Sequence, residues 1–145
     1  MRQARKHLKI TSIIILILAV ATLMDIVAEI LSMNLGDFAA EGFTEDILRI
    51  TKIVVLAVSI LCLLPQIYIG LKGLKIAKNP DSSRVHIIVG IILLAFSVIA
   101  ILDPLRSIVT GDLVIDNVFT LLRCAVEISI LFDYVKYARA IAAQS

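Results

Sequence analysis

Tryptophan is absent, cysteine occurs only at Cys62 and Cys124, and charged side chains make up just 18% of the chain. Each scarcity removes a class of protein. Two isolated cysteines, with no CxxC and no neighbouring pair of histidines, argue against a zinc site or a thioredoxin-like dithiol, and both read as small apolar core residues. A net charge of +2 is too small to hold a polyanion, so no nucleic-acid partner is expected. No HExxH, GxSxG or P-loop motif offers catalysis, and no arginine ladder marks a voltage sensor. No enzymatic activity, catalytic residue, metal ligand or cofactor is therefore assigned. Nor does polarity alternate along the chain, as the short strands of a membrane β-barrel would require.

What is present is apolar surface. Hydrophobic residues reach 60% and mean hydropathy is +1.02, beyond the roughly half-apolar composition of soluble domains. Four apolar runs, Ile10 to Met33, Ile50 to Leu71, Val85 to Ile101 and Leu113 to Tyr134, each come near the roughly twenty residues that span about 30 Å of hydrocarbon. The expected fold is all-α, a single domain forming an integral membrane four-helix bundle, with helices over about 8–33, 45–76, 83–107 and 112–140. The third is short and is expected to continue through Asp103 toward Arg106. The basic N-terminus followed by Ala19, Val20 and Ala21 has the outline of a secretory signal, but its apolar run continues to Met33 and reads as a retained anchor.

Basic residues set the orientation. Ten of them (Arg2, Arg5, Lys6, Lys9, Lys72, Lys75, Lys78, Arg84, Lys136 and Arg139) fall at one end of the four runs, against three (Arg49, Lys52 and Arg106) flanking the other. Both termini are thus expected on the cytoplasmic side of the cell membrane. The opposite face collects Asp37, Glu41, Glu45, Asp46, Asp112 and Asp116. Thr44, Asp112, and Ser82 or Ser83 suit helix N-caps, Tyr134 and Tyr137 suit an inner aromatic belt, and His86 beside Arg84 reads as an interfacial residue. The segment from Asn34 to Phe43, with Gly36, Phe38 and Gly42, is the longest connection and is expected along the membrane surface.

The interior should be marked by small and polar residues, since lipid is as apolar as leucine. Along the second helix Arg49, Lys52, Leu56, Ser59, Leu63, Gln66, Gly70 and Gly73 step alternately by three and four, a heptad seam that predicts left-handed antiparallel packing. Pro65 beside Gln66 marks a kink. The other helices offer Asp25 and Glu29; His86, Gly90, Leu93, Ser97, Ala100 and Pro104; and Asp116, Thr120, Arg123, Glu127 and Tyr134.

Arg123 and Glu127 stand near the middle of the last run, where an ionised side chain costs at least about 2.5–3.5 kcal/mol, so partners are required. Arg123 preceding Glu127 is the less favourable order for a pair four residues apart. Depth and the lean of side chains toward their helix N-terminus bring Asp25 or Asp103 to Arg123 instead. An intramembrane charge cluster of Asp25, Glu29, Arg49, Lys52, Asp103, Arg123 and Glu127 is expected. It reads either as a structural network fixing helix register or as an outward-facing site or proton path.

The run from Tyr68 to Ile101, with Gly70, Gly73, Ala77, Asn79, Pro80 and Asp81, resembles a pattern in small uncharacterised four-helix integral membrane proteins of bacteria. That resemblance implies an inner-membrane location and no particular activity. The functional expectation is a non-enzymatic accessory or interaction subunit, in contact with membrane lipid, that self-associates or binds a larger membrane partner. The alternative is an ion or small-solute transporter or channel.

Overall fold

Runs of aliphatic side chains with glycine and proline confined to a few positions favour long helices, and in the computed structural model, which describes residues 2–34, 42, 44–81, 83–111 and 115–144, helices are what forms. They are α1 (Arg2–Ser32), α2 (Glu45–Lys78), α3 (Val85–Ala100), α4 (Leu102–Val109) and α5 (Ile115–Ala143). The rods α1, α2 and Val85–Val109, which joins α3 to α4, are long and apolar enough to cross a membrane. At about 1.5 Å per residue α5 is also long enough, yet Arg123 and Glu127 interrupt its apolar character. The interruption at Ile101 follows from Pro104, which has no N–H to bond the Ala100 carbonyl and whose ring crowds it.

Helix ends follow local chemistry. Thr44 caps α2, its hydroxyl accepting from the Ile47 N–H at 3.4 Å, and Glu45 and Asp46 occupy the first turn. Gly111, at φ +97°, takes the left-handed conformation after α4. The turn between α2 and α3 closes on Asp81, whose carboxylate accepts from the Ser83 N–H at 2.9 Å and lies 3.6 Å from the Lys72 ammonium. Ser83 does not cap α3, whose N-cap is Arg84 without a side-chain bond; the expected caps at Asp112 and Ser82, and the roles given to Gly36, Asp37, Phe38, Glu41 and Phe43, lie outside the described residues.

The four rods form a ring: α1 lies against α2 and α5, and α3 lies against the same two. Burial is concentrated at one end, where the termini meet the α2–α3 turn. Leu8, Ser12 and Ile15 of α1, Ile69, Gly73 and Ile76 of α2, His86 and Ile87 of α3, and Leu131, Tyr134, Ala138 and Ile141 of α5 close on one another there. Toward the other end only Ile30, Leu48 and Pro104 are buried among the described residues.

Three further expectations are corrected. α1 begins at Arg2 rather than near residue 8, because the Arg5 guanidinium donates to the Ala77 and Lys78 carbonyls at 2.9 and 2.6 Å and so caps α2 while tying down the start of α1. His86 and Tyr134, read both as interfacial and as members of the inward stripes, are core residues, 1% and 0% exposed, so the interfacial reading is the one corrected. They satisfy each other: the Tyr134 hydroxyl and His86 Nδ1 are 3.0 Å apart, and His86 Nε2 and the Ser83 carbonyl oxygen are also 3.0 Å apart. Since the carbonyl can only accept, Nε2 carries the proton and Tyr134 donates to Nδ1. Cys62 is exposed rather than in the core.

Candidate functional site

The seven-residue cluster expected from the sequence contracts to three. Arg123 reaches from α5 to α1, where one guanidinium nitrogen lies 2.6 Å from Asp25 and another donates to the Thr22 hydroxyl at 2.6 Å. Its Nε is 3.7 Å from Glu127 on its own helix, a looser contact than that with Asp25. Thr22 escaped the sequence reading, although its place three residues before Asp25 puts both on one face of α1. The Arg123, Asp25 and Glu127 side chains retain 40%, 67% and 28% of their surface, so the chain does not seal this group.

The other four charges stay apart. Glu29, Arg49 and Asp103 are exposed, Lys52 is half-buried, and none forms an ion pair among the described residues. Asp103 is excluded from Arg123 by rotation. α4 buries Pro104, and the residue before it is turned by about 100° away from that face. Arg49 and Lys52 lie in the first turns of α2, where the bundle is open.

The polar seam of α2 turns inward only over its second half. Leu63, Gly70 and Gly73 are buried, Ser59 and Pro65 are half-buried, and Gln66 donates to the Ile15 carbonyl at 3.4 Å. A Cβ added at Gly73 would collide with the Ser12 side chain and come 2.7 Å from the Tyr134 ring. One added at Gly70 would come 2.7 Å from Leu16, so both glycines set the approach of α1 to α2. The Ser12 hydroxyl is wholly buried in this contact and has no hydrogen-bond partner among the described residues.

Where the packed and open halves meet, a cavity of about 40 Å³ is lined by Gln66, Ser97 and Glu127 together with Ile15, Leu18, Leu93, Ile130 and Leu131. All four rods contribute to it. A volume of that size accommodates a few waters at most. Glu127 therefore faces two ways, toward Arg123 and toward an interior chamber with amide and hydroxyl groups. No grouping of histidine, cysteine and carboxylate side chains that could hold a metal ion occurs among the described residues.

Fold and site together define a four-rod helical protein with a cross-helix ion pair in apolar surroundings. No protein-family model matches the chain, and neither the curated proteins nor the solved structures contain a match to it.

Proposed function

We propose that this is a multi-pass protein of the cell membrane, both termini cytoplasmic, that works as a non-enzymatic interaction subunit by associating with itself or with a larger membrane protein. The carrying observation is the incomplete cover of Arg123 and Asp25, 40% and 67% exposed. In a bundle alone in lipid those charges would meet acyl chains, at a cost of several kcal/mol; a second protein surface against α1 and α5 removes that cost. Exposed aliphatic residues on every long helix, among them Ile17, Val54, Ile92 and Val126, agree with a lipid surround. The basic residues gathered at the packed end agree with its facing the cytoplasm. The resemblance of Tyr68 to Ile101 to small four-helix membrane proteins of bacteria would imply an inner-membrane location.

Cross-linking of single cysteines placed at Thr22 and Val126, in a background without Cys62 and Cys124, tests association in native membranes. Cross-linked dimers or hetero-complexes are expected. Protein that remains monomeric in membranes at every expression level ends this reading.

The transporter reading draws on a different observation, the small polar chamber beside Glu127. Its path would use Asp25, Arg123, Glu127 and Gln66. Its size restricts any cargo to water, protons or a bare ion. Flux in proteoliposomes that vanishes in Arg123→Gln and Glu127→Gln, with folding intact, would replace the first reading with this one.

A further inference from the structure

Two arginines at the packed end have no side-chain role in the bundle. Arg84, just before α3, and Arg139, near the end of α5, are both exposed, and neither guanidinium has a hydrogen bond or ion pair among the described residues. They line one cleft of about 310 Å³, whose remaining walls are the apolar Ile87, Ile88, Ala142 and Ala143.

The same seam continues away from the cleft. Ile87, Leu94 and Val98 follow one another by seven and four residues on α3, and Arg139, Phe132 and Ile128 do so in reverse on α5, spacings that keep each set on one helix face. Leu94, Val98, Ile128 and Phe132 line a second, apolar groove of about 500 Å³. It begins about 10 Å along α5 from Arg139 and about 15 Å along α3 from Arg84, at about 1.5 Å per residue. Lys136, four residues after Phe132 and three before Arg139, lies on that face between them. A cationic cup and a separate hydrocarbon-lined groove thus lie along one α3–α5 seam.

We propose that this α3–α5 seam binds one anionic phospholipid, its phosphate between Arg84 and Arg139 and an acyl chain along Leu94, Val98 and Phe132. Guanidinium groups form paired hydrogen bonds with phosphate oxygens, and basic pockets between helices at the cytoplasmic surface suit acidic headgroups. The larger groove of about 820 Å³ between α2 and α3 has no arginine beyond it along α2 toward the packed end, where the nearest bases are Lys72, engaged by Asp81, and Lys75. The proposal rests on the membrane-spanning reading and is independent of self-association.

Native mass spectrometry of the full chain, titrated with phosphatidylglycerol and with phosphatidylcholine of identical acyl chains, tests it. The wild-type protein should retain phosphatidylglycerol in preference, and the Arg84→Gln/Arg139→Gln variant should lose about tenfold or more of that retention. Lys6→Gln/Lys9→Gln removes the same charge from exposed positions on α1 and should leave retention unchanged. Equal loss in both variants, or none in the first, overturns the proposal by showing diffuse attraction or binding elsewhere. Glycerol phosphate competing as well as the whole lipid also overturns it, since the groove would then be idle. If the arginine variant misfolds, Val98→Trp, which fills only the groove, should lower retention, and full retention there is equally fatal. Release of the protein from membranes by alkaline carbonate would sink the membrane reading itself, whereas a retained protein without headgroup preference sinks this inference alone.

Discussion

The two ends of the bundle handle polar groups in opposite ways. At the packed end several are fitted against specific partners, Tyr134 against His86, His86 against Ser83 and Arg5 against the last carbonyls of α2, while the Ser12 hydroxyl, Arg84 and Arg139 have none among the described residues. At the open end Arg49, Lys52, Glu29 and Asp103 are unpaired among the described residues, and the Arg123–Asp25 pair is partly uncovered. Glycine distribution accounts for much of this. Gly70, Gly73 and Gly90 lie in the packed half, where Ser12, Leu16, Tyr134 and Val135 approach positions a Cβ would occupy, and the outer half of α2 has no glycine. If the proposed membrane location holds, burial of apolar surface gains little between helices and close backbone approach is what draws them together. The packed end therefore holds the fold, and the open end is free to hold something else.

If that contrast is right, substitutions should divide by end. The largest effect is expected at Gly73→Ala, whose methyl group meets Ser12 and Tyr134. Overpacking of this kind costs about 1–3 kcal/mol or more, read as a lower midpoint in denaturant-mixed detergent, whereas Ser59→Ala in the open half should change it by less than about 0.5 kcal/mol. Equal effects at the two sites would erase the distinction.

Next comes Tyr134→Phe, which keeps the ring but leaves His86 Nδ1 buried without its donor. A loss of about 1–3 kcal/mol is expected, and adding His86→Leu should recover part of it. Arg123 should count for less in the isolated protein. A double-mutant cycle of Arg123→Leu with Asp25→Asn is expected to give a coupling of about 1 kcal/mol, while the cycle with Asp103→Asn should be additive. Coupling to Asp103 rather than Asp25 would contradict the burial of Pro104, which turns Asp103 away.

The smallest effect concerns the α2–α3 turn. The Ser83 N–H bond, against the opposing desolvation and with the Lys72 charge in support, holds the Asp81 carboxyl below its ordinary value of 3.8. Because the folded-state value is the lower one, the stabilisation is complete above about pH 4 and fades as pH falls through the folded-state value. Asp81→Asn keeps an oxygen acceptor for Ser83, so it should remove that pH dependence with little change at pH 7, as a thermal scan between pH 3 and pH 7 can show.

Much of the secondary structure was legible because it is governed by neighbours in sequence. Thr44 before two acids placed the start of α2 at the residue observed, and the apolar runs located all four rods. The heptad seam of α2 picked out Leu63, Gly70 and Gly73 as inward-facing. Its prolongation to Arg49 was misleading, since periodicity along one helix is silent on where its neighbours diverge. The same limit explains the site: Asp25 and Asp103 were equivalent partners for Arg123 by depth, and only the rotation of α4 separated them.

What the chain alone determined is therefore local, namely helices of membrane-spanning length, where they stop, and which residues could face inward. Tertiary structure decided that the rods close at one end, that His86 and Tyr134 become a buried pair and that Arg5 becomes a cap. It also decided that Arg123 chooses Asp25 and Thr22. Hydrophobic length and capping depend on residues a few positions apart, whereas helix rotation and splay depend on all four rods at once, and those set who meets whom.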